Sequence, residues 1–233
     1  MKFNNYAFFI LAGGIGSRLK NILKGRQKVI AEINGTSILK FVLDQLVQDG
    51  VTEIFLLTGY GSNQVKESLK NYNTNINLIY SEENKPLGTG GAVKLASYKT
   101  KKENLVVING DTLIDFSRRN FIKKVNQNKE AILSVLTDNV SRYGELKFNE
   151  KMEILKMYEK CGTERKGYIN AGTYLLKRNN IINFEKDIFS LENDYIPWSI
   201  RNNLMQVVPL SFDFLDIGIP DDYEKAHHLL KNK

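Results

Sequence analysis

Residues 6–19 read Y-A-F-F-I-L-A-G-G-I-G-S-R-L, and a Gln27-Lys28 pair follows. An apolar run passes abruptly into a loop of three glycines, a serine and an arginine, the pattern of a buried strand feeding a phosphate cradle. Gly13, Gly14 and Gly16 allow a tight turn and bring backbone N–H groups close to anionic oxygens. Arg18 adds a forked donor and Lys28 a point charge. The loop is not G-x-G-x-x-G, because Leu19 stands where a third glycine belongs, and no G-K-S/T closes it as a P-loop. Taken alone, it also reads as a glycine-rich strand-to-helix turn with an exposed Arg18 and Lys28. The rest of the chain decides between the two.

Downstream, strands and helices alternate. Residues 38–47 carry apolar side chains at helical spacing and end at Asp49-Gly50. E-I-F-L-L-T, bounded by Gly59 and Gly61, is a short buried strand. Ser62 suits the cap of a helix over 62–69, and a strand over 76–81 follows. A helix over 91–98 buries Val93, Leu95 and Ala96, and L-V-V-I-N forms the fourth strand. This alternation predicts an α/β fold, a Rossmann-like doubly wound and mostly parallel sheet with helices on both faces. Its ligand site should lie at the carboxyl ends of the strands. The second half is less regular: a helix over 116–125, a strand over 131–136, a strand from Tyr168 with a glycine interruption, and a closing helix over 221–230.

The chain has 233 residues, 42% hydrophobic and 25% charged, which suits one domain with a substantial core. A nucleotide-binding half over 1–115 and a second half over 116–233 are expected within it. No run is long and apolar enough for a membrane span, and a secretion signal is not recognisable, so a cytoplasmic location and no membrane partner are expected. One cysteine, Cys161, and two histidines, His227 and His228, argue against a disulfide or a Cys/His zinc site. The formal charge of +7 is spread among acidic residues instead of massed in a basic tract. That favours a polyanionic small substrate over nucleic acid. Monomer and homo-oligomer are equally compatible with the sequence.

Asp111 closes the fourth strand in L-V-V-I-N-G-D. A carboxylate there, beside a glycine permitting close backbone approach, suits a Mg²⁺ shared with substrate phosphates; N-G-D is also good turn chemistry.

These motifs together resemble the sugar-1-phosphate nucleotidyltransferases, whose loop has the form L-x-G-G-x-G-T/S-R-L followed by P-K. Here the proline is replaced by Gln27. The resemblance runs from residue 7 to residue 226. P-L-G-T-G-G-A, N-G-D-T and F-L-D-I-G-I-P-D-D-Y are most similar to the bacterial D-glycero-D-manno-heptose 1-phosphate guanylyltransferases of that family. It implies transfer from GTP to a sugar 1-phosphate, giving GDP-sugar and pyrophosphate by in-line attack. Implied nucleotide contacts are Leu11, Ala12, Gly13, Gly14, Gly16, Ser17, Glu83, Pro86, Gly88 and Thr89. Glu83 stands where uridylyl and thymidylyl relatives commonly have glutamine. A carboxylate offers two acceptors to the adjacent N1–H and amine of guanine, although Glu82 is an alternative reader.

Implied sugar contacts are Gly144, Glu159, Lys160 and Asn170, with Cys161 in place of a family proline. Asp111 and Asp216 are the implied Mg²⁺ ligands, and Arg18, Lys28 and Asp111 the implied catalytic residues. Arg18 attends the leaving pyrophosphate and Lys28 the reacting phosphates. A mannose or glucose 1-phosphate enzyme with another nucleotide is the nearest alternative. The replacements at 27 and 161 also suggest a nucleotide-sugar-binding regulator without turnover.

Overall fold

The computed structural model describes residues 3–14, 23, 25–72, 75–158, 162, 164–217 and 220–229, without the side chains of 220, 221, 228 and 229. The central strand is β1 (Tyr6–Leu11). The short strands β2 (Glu32–Ile33) and β3 (Thr36–Ser37) form a hairpin, and helix α1 (Ile38–Gln48) leads to β4 (Glu53–Thr58). Next come α2 (Ser62–Ser68), β5 (Asn77–Glu82), α3 (Gly88–Ser97), β6 (Asn104–Asn109) and β7 (Thr112–Ile114). Strands β6, β1, β4 and β5 lie side by side in that order, all parallel.

This half matches the sequence expectation with four differences. The third strand is shifted by one residue, and the helix after it starts three residues early, at Gly88. Gly61, in the left-handed region at φ 77°, caps α2, while the Ser62 hydroxyl donates to Glu82 Oε1 at 2.6 Å. Leu95 is only partly buried and Lys94 is buried in its stead. The Lys94 ammonium finds the carbonyls of Phe184 at 2.8 Å and Lys186 at 3.1 Å, and the Asp187 carboxylate at 2.8 Å. A buried cation with three oxygen partners satisfies the rule for burying charge, which apolar periodicity does not anticipate.

The second half continues the same sheet instead of building another. Helix α4 (Arg118–Lys124) precedes β8 (Glu130–Thr137), β9 (Glu145–Phe148), β10 (Ile154–Tyr158) and the long β11 (Gly167–Lys177). Then α5 (Arg178–Asn183), a π-helical turn (Leu191–Tyr195), α6 (Ile196–Arg201), β12 (Met205–Leu210), β13 (Phe214–Asp216) and α7 (Pro220–Leu229) complete the chain. Strand β11 is antiparallel to β6, β8 and β9, so the mostly parallel sheet that the sequence predicts becomes mixed at this end. The hairpin β2–β3 and the strands β10 and β13 are too short or too polar to show in the alternation, and β12 contains Pro209, which argues against a strand.

Alternating residues along the central strands belong to two separate cores. Phe8, Ile10, Val106 and Ile108 pack with Leu39, Val42 and Leu43 of α1 on one face; Ala7, Phe9, Leu105 and Val107 pack with Val93 and Ala96 of α3 on the other. Two buried faces explain the continuous apolar runs. Each fully buried large side chain contributes about 1.5–3 kcal/mol.

Strand β11 forks the sheet. Its first residues pair with β9 and its last with β6, and the register breaks between Asn170 and Tyr174. Gly172 sits in the break at φ 67°, where a Cβ would come within 2.9 Å of the Asn109 amide. The fork leaves an opening beside the end of β6, and this opening is where Asp111 emerges.

Glu130, buried at the start of β8, ties this half together. It accepts from Tyr195 and Ser199 hydroxyls at 2.6 Å each, from Lys177 N–H at 3.0 Å and from Asn180 at 3.2 Å. Burial pushes its pKa up, and those donors oppose the shift. Glu130→Ala strands several buried donors at once, so thermal and urea unfolding should show a loss of about 3 kcal/mol or more. Glu130→Gln should lose clearly less.

Candidate active site

Two cavities open at the carboxyl edge of the sheet, of about 420 Å³ and 400 Å³. They share four lining residues: Lys28, Asn109, Asp111 and Glu192. The first runs from the glycine loop across to the segment before α3, and Leu11, Gly13, Gly14, Glu83, Pro86, Gly88 and Thr89 line it. The second lies under the fork, where Gly144, Asn170 and Asp216 stand with Arg142, Tyr143 and Tyr174. Residues from opposite ends of the chain thus meet at a common junction.

At that junction Lys28 is nearly buried. Its ammonium is ion-paired with Asp111 and lies 3.8 Å from Asp216 Oδ1. Asp216 reaches the junction because β13 pairs antiparallel with β7, setting Asp216 opposite Thr112. The distant carboxylates therefore converge on one positive charge. Gln27 does what the missing proline would do: its φ is −63°, within the range that a proline ring imposes. Its N–H, which proline lacks, donates to Gln64 Oε1 at 2.9 Å, and its side chain donates to the Tyr60 carbonyl. The lysine is held without the ring, which removes one motive for the regulator reading.

Of the implied nucleotide residues, Ala12 alone among those described turns away. Its methyl is in the core and its N–H is taken by the Leu57 carbonyl at 2.8 Å. Glu83 faces the first cavity, and its Oε2 accepts the Leu87 N–H at 3.0 Å. Burial raises its pKa and that hydrogen bond partly offsets the rise. Glu82 is exposed and engaged by Ser62 and Lys66, outside the cavity lining. Of the two carboxylates offered by the sequence, only Glu83 lines the cavity. Gly88 and Gly90 have packing reasons to be glycine: a Cβ would strike the Phe189 carbonyl at 2.5 Å and the Phe189 ring at 2.1 Å. Gly16, Ser17, Arg18, Glu159, Lys160 and Cys161 lie outside the described residues.

Glu192 is absent from the sequence reading, since nothing in L-E-N-D-Y marks it. It stands on the π-helical turn, a distortion often found at functional sites. Its Oε2 accepts from the Thr89 hydroxyl at 2.9 Å and the Ser190 hydroxyl at 3.1 Å. The Tyr174 hydroxyl, 3.4 Å from Oε1, in turn accepts from Asn170 Nδ2 at 2.8 Å. Burial and the Glu192 charge hold the Tyr174 hydroxyl protonated. A continuous chain of hydrogen bonds therefore joins the two cavity walls. Asp222, also missed and buried in α7, braces the second cavity by accepting from Tyr143 at 3.1 Å and Arg142 at 3.4 Å.

Among the described residues no three His, Cys, Asp or Glu side chains cluster as a metal cage. Two carboxylates aimed at one cationic point do fit a magnesium ion, which keeps waters and takes its remaining oxygens from substrate phosphates.

A model of the family described as Nucleotidyl transferase matches residues 8–233. The chain is 33% identical over 224 residues to the D-glycero-alpha-D-manno-heptose 1-phosphate guanylyltransferase of Campylobacter jejuni, covering 96% of this chain and 98% of that one. It is 33% identical over 228 residues to the protein of the same description from Aneurinibacillus thermoaerophilus, with 96% and 97% covered. The crystal structure of HddC from Yersinia pseudotuberculosis complexed with GMP-PN superposes with a TM-score of 0.88 at 34% identity, over 97% of this chain and 99% of that one.

Proposed function

Because the chain belongs to the nucleotidyl transferase family, we propose that it is a sugar-1-phosphate guanylyltransferase joining GTP to D-glycero-D-manno-heptose 1-phosphate, with release of pyrophosphate. The observation that carries this reading is the junction itself: one ammonium and two carboxylates where two cavities of similar size meet. The first cavity takes the nucleotide and the second the sugar phosphate. The division of labour between residues 1–115 and 116–233 follows, with Glu192 crossing it.

Glu83 reads the guanine edge, its two oxygens accepting from N1–H and the exocyclic amine. The heptose phosphate is the nucleophile. A phosphate monoester is largely dianionic near neutral pH, so no side chain has to remove a proton. This agrees with cavity linings that hold no histidine among the described residues. Lys28 neutralises phosphate charge at the junction, and Gly13 and Gly14 allow backbone to approach it. Asn170 and Gly144 orient the sugar for in-line attack, so catalysis is mainly positioning and electrostatic preorganisation. When bound, Mg²⁺ held by Asp111 and Asp216 would supply charge neutralisation of the α-phosphate. Arg18 toward the pyrophosphate, and Glu159 with Lys160 toward the sugar, complete the assignment from the sequence. The enzyme would serve nucleotide-sugar biosynthesis for cell-surface polysaccharide in the cytoplasm.

The test is Mg²⁺-dependent pyrophosphate release with GTP, ATP, UTP and dTTP against heptose, mannose and glucose 1-phosphates. GTP with the heptose phosphate should give the highest kcat/KM. Turnover with UTP or dTTP and none with GTP would overturn the base assignment; binding without turnover would favour the regulator.

A further inference from the structure

Asn109 is the one polar side chain in the run Leu105–Asn109 of β6, and it stands at the strand's end, two residues before Asp111. It lines both cavities. Its Oδ1 is buried and has no hydrogen-bond partner among the described residues. A buried amide oxygen left unpaired costs about 1–3 kcal/mol, so such a group invites an explanation.

The surroundings keep room for it. Opposite Asn109 the register of β11 breaks at Gly172, whose left-handed backbone and missing side chain leave the space the amide occupies. A Cβ there would lie 2.9 Å from Nδ2 and 3.1 Å from the Asn109 Cβ. Packing alone would be served better by an aliphatic side chain, as at Leu105, Val106, Val107 and Ile108 before it.

We propose that Asn109 is a substrate-binding residue whose amide hydrogen-bonds the sugar hydroxyl on C2, the carbon next to the anomeric phosphate. The inference rests on the sugar-phosphate reading above. Asn109 flanks the Lys28 and Asp111 junction where the reacting phosphorus must lie, and the C2 hydroxyl is the sugar hydroxyl nearest that phosphorus along the bonds. The break of β11 that Asn109 faces at Gly172 lies between Asn170 and Tyr174, which line the second cavity with it, so the amide stands on the sugar side of the junction. The terminal torsion of asparagine is broad and roughly two-fold, so the amide can turn either end to a hydroxyl, which both donates and accepts.

The experiment compares kcat/KM for D-glycero-D-manno-heptose 1-phosphate and its 2-deoxy analogue, at saturating GTP, in the wild type, Asn109→Ala and Asn109→Asp. The wild type should prefer the hydroxylated sugar by about tenfold, the worth of one well-made hydrogen bond. Asn109→Ala should lose that preference, and Asn109→Asp, which retains an acceptor, should keep most of it. The ratio is internal to each variant, so a general loss of activity does not imitate the result. A wild type indifferent to the 2-hydroxyl, or an Asn109→Ala variant that discriminates as the wild type does, overturns the assignment. So does a defect seen only as lost preference for GTP over its 2′- or 3′-deoxy forms, which would assign the amide to ribose. Failure of the wild type to turn over the parent sugar phosphate would count against the proposed function instead.

Discussion

Asp111→Asn should lower Mg²⁺-dependent kcat by on the order of 10³-fold, the scale seen when one preorganised electrostatic partner of a transition state is removed. The melting temperature should move by no more than a few degrees, because the carboxylate is partly exposed and Lys28 retains Asp216 at 3.8 Å. The asparagine is nearly isosteric but has lost the charge that balances a cation. Raising the Mg²⁺ concentration should therefore restore part of the rate if the defect is one of metal affinity. Asp216→Asn should behave alike, and the double variant should cost less than the product of the singles, since both acids act on one point. Lys28→Met is the complement: two carboxylates left with no ammonium between them repel, so the free enzyme should lose stability while its metal requirement persists. Pyrophosphate release with a melting curve for each variant is sufficient to measure all of this. Asp111→Asn with the wild-type rate would refute the site at its centre.

How much of this was readable in the chain follows from what periodicity can and cannot carry. The strands Tyr6–Leu11, Glu53–Thr58 and Asn104–Asn109 are legible because both faces of a parallel sheet are covered, so their inner positions are all apolar. The placement of the site at their ends follows from the same geometry. Strand β10, with Leu155 exposed, and the two-residue strands of the hairpin give no such run. Leu95 is misread as core because Lys94, a lysine by sequence, is buried by three oxygens brought from residues 184–187. Long-range partners of this kind have no local signal. Glu192 and Asp222 are missed for the same reason: each matters through hydroxyls and cations donated from elsewhere in the fold. Gln27 is the reverse case. The residue type departs from the family, yet the backbone angle and a bond to Gln64 preserve its purpose.

Glu83→Gln should reduce kcat/KM for GTP by about 10²-fold, close to 2.7 kcal/mol, while leaving UTP nearly unchanged. A carboxylate accepts both guanine N–H groups, whereas an amide accepts one and turns its own N–H₂ against the other. The loss should appear in KM for GTP with kcat nearly unchanged, because the base is held alike before and during reaction. The acidity of the group adds an independent check. Burial raises the Glu83 pKa above its ordinary 4.5, the Leu87 N–H only partly offsetting the shift. Between the ordinary and the raised value the folded protein holds a proton that the unfolded chain has released. The cost of the buried charge is thus absent at low pH and grows as pH rises through that window. Guanine recognition needs the charged form, so the preference for GTP over UTP should fade as pH descends through the raised pKa. In Glu83→Gln the same ratio should be low and independent of pH, because the amide does not titrate. A wild-type ratio that stays constant across the window would separate base selection from Glu83, and a Glu83→Gln ratio that still varies with pH would assign the selection to another acid.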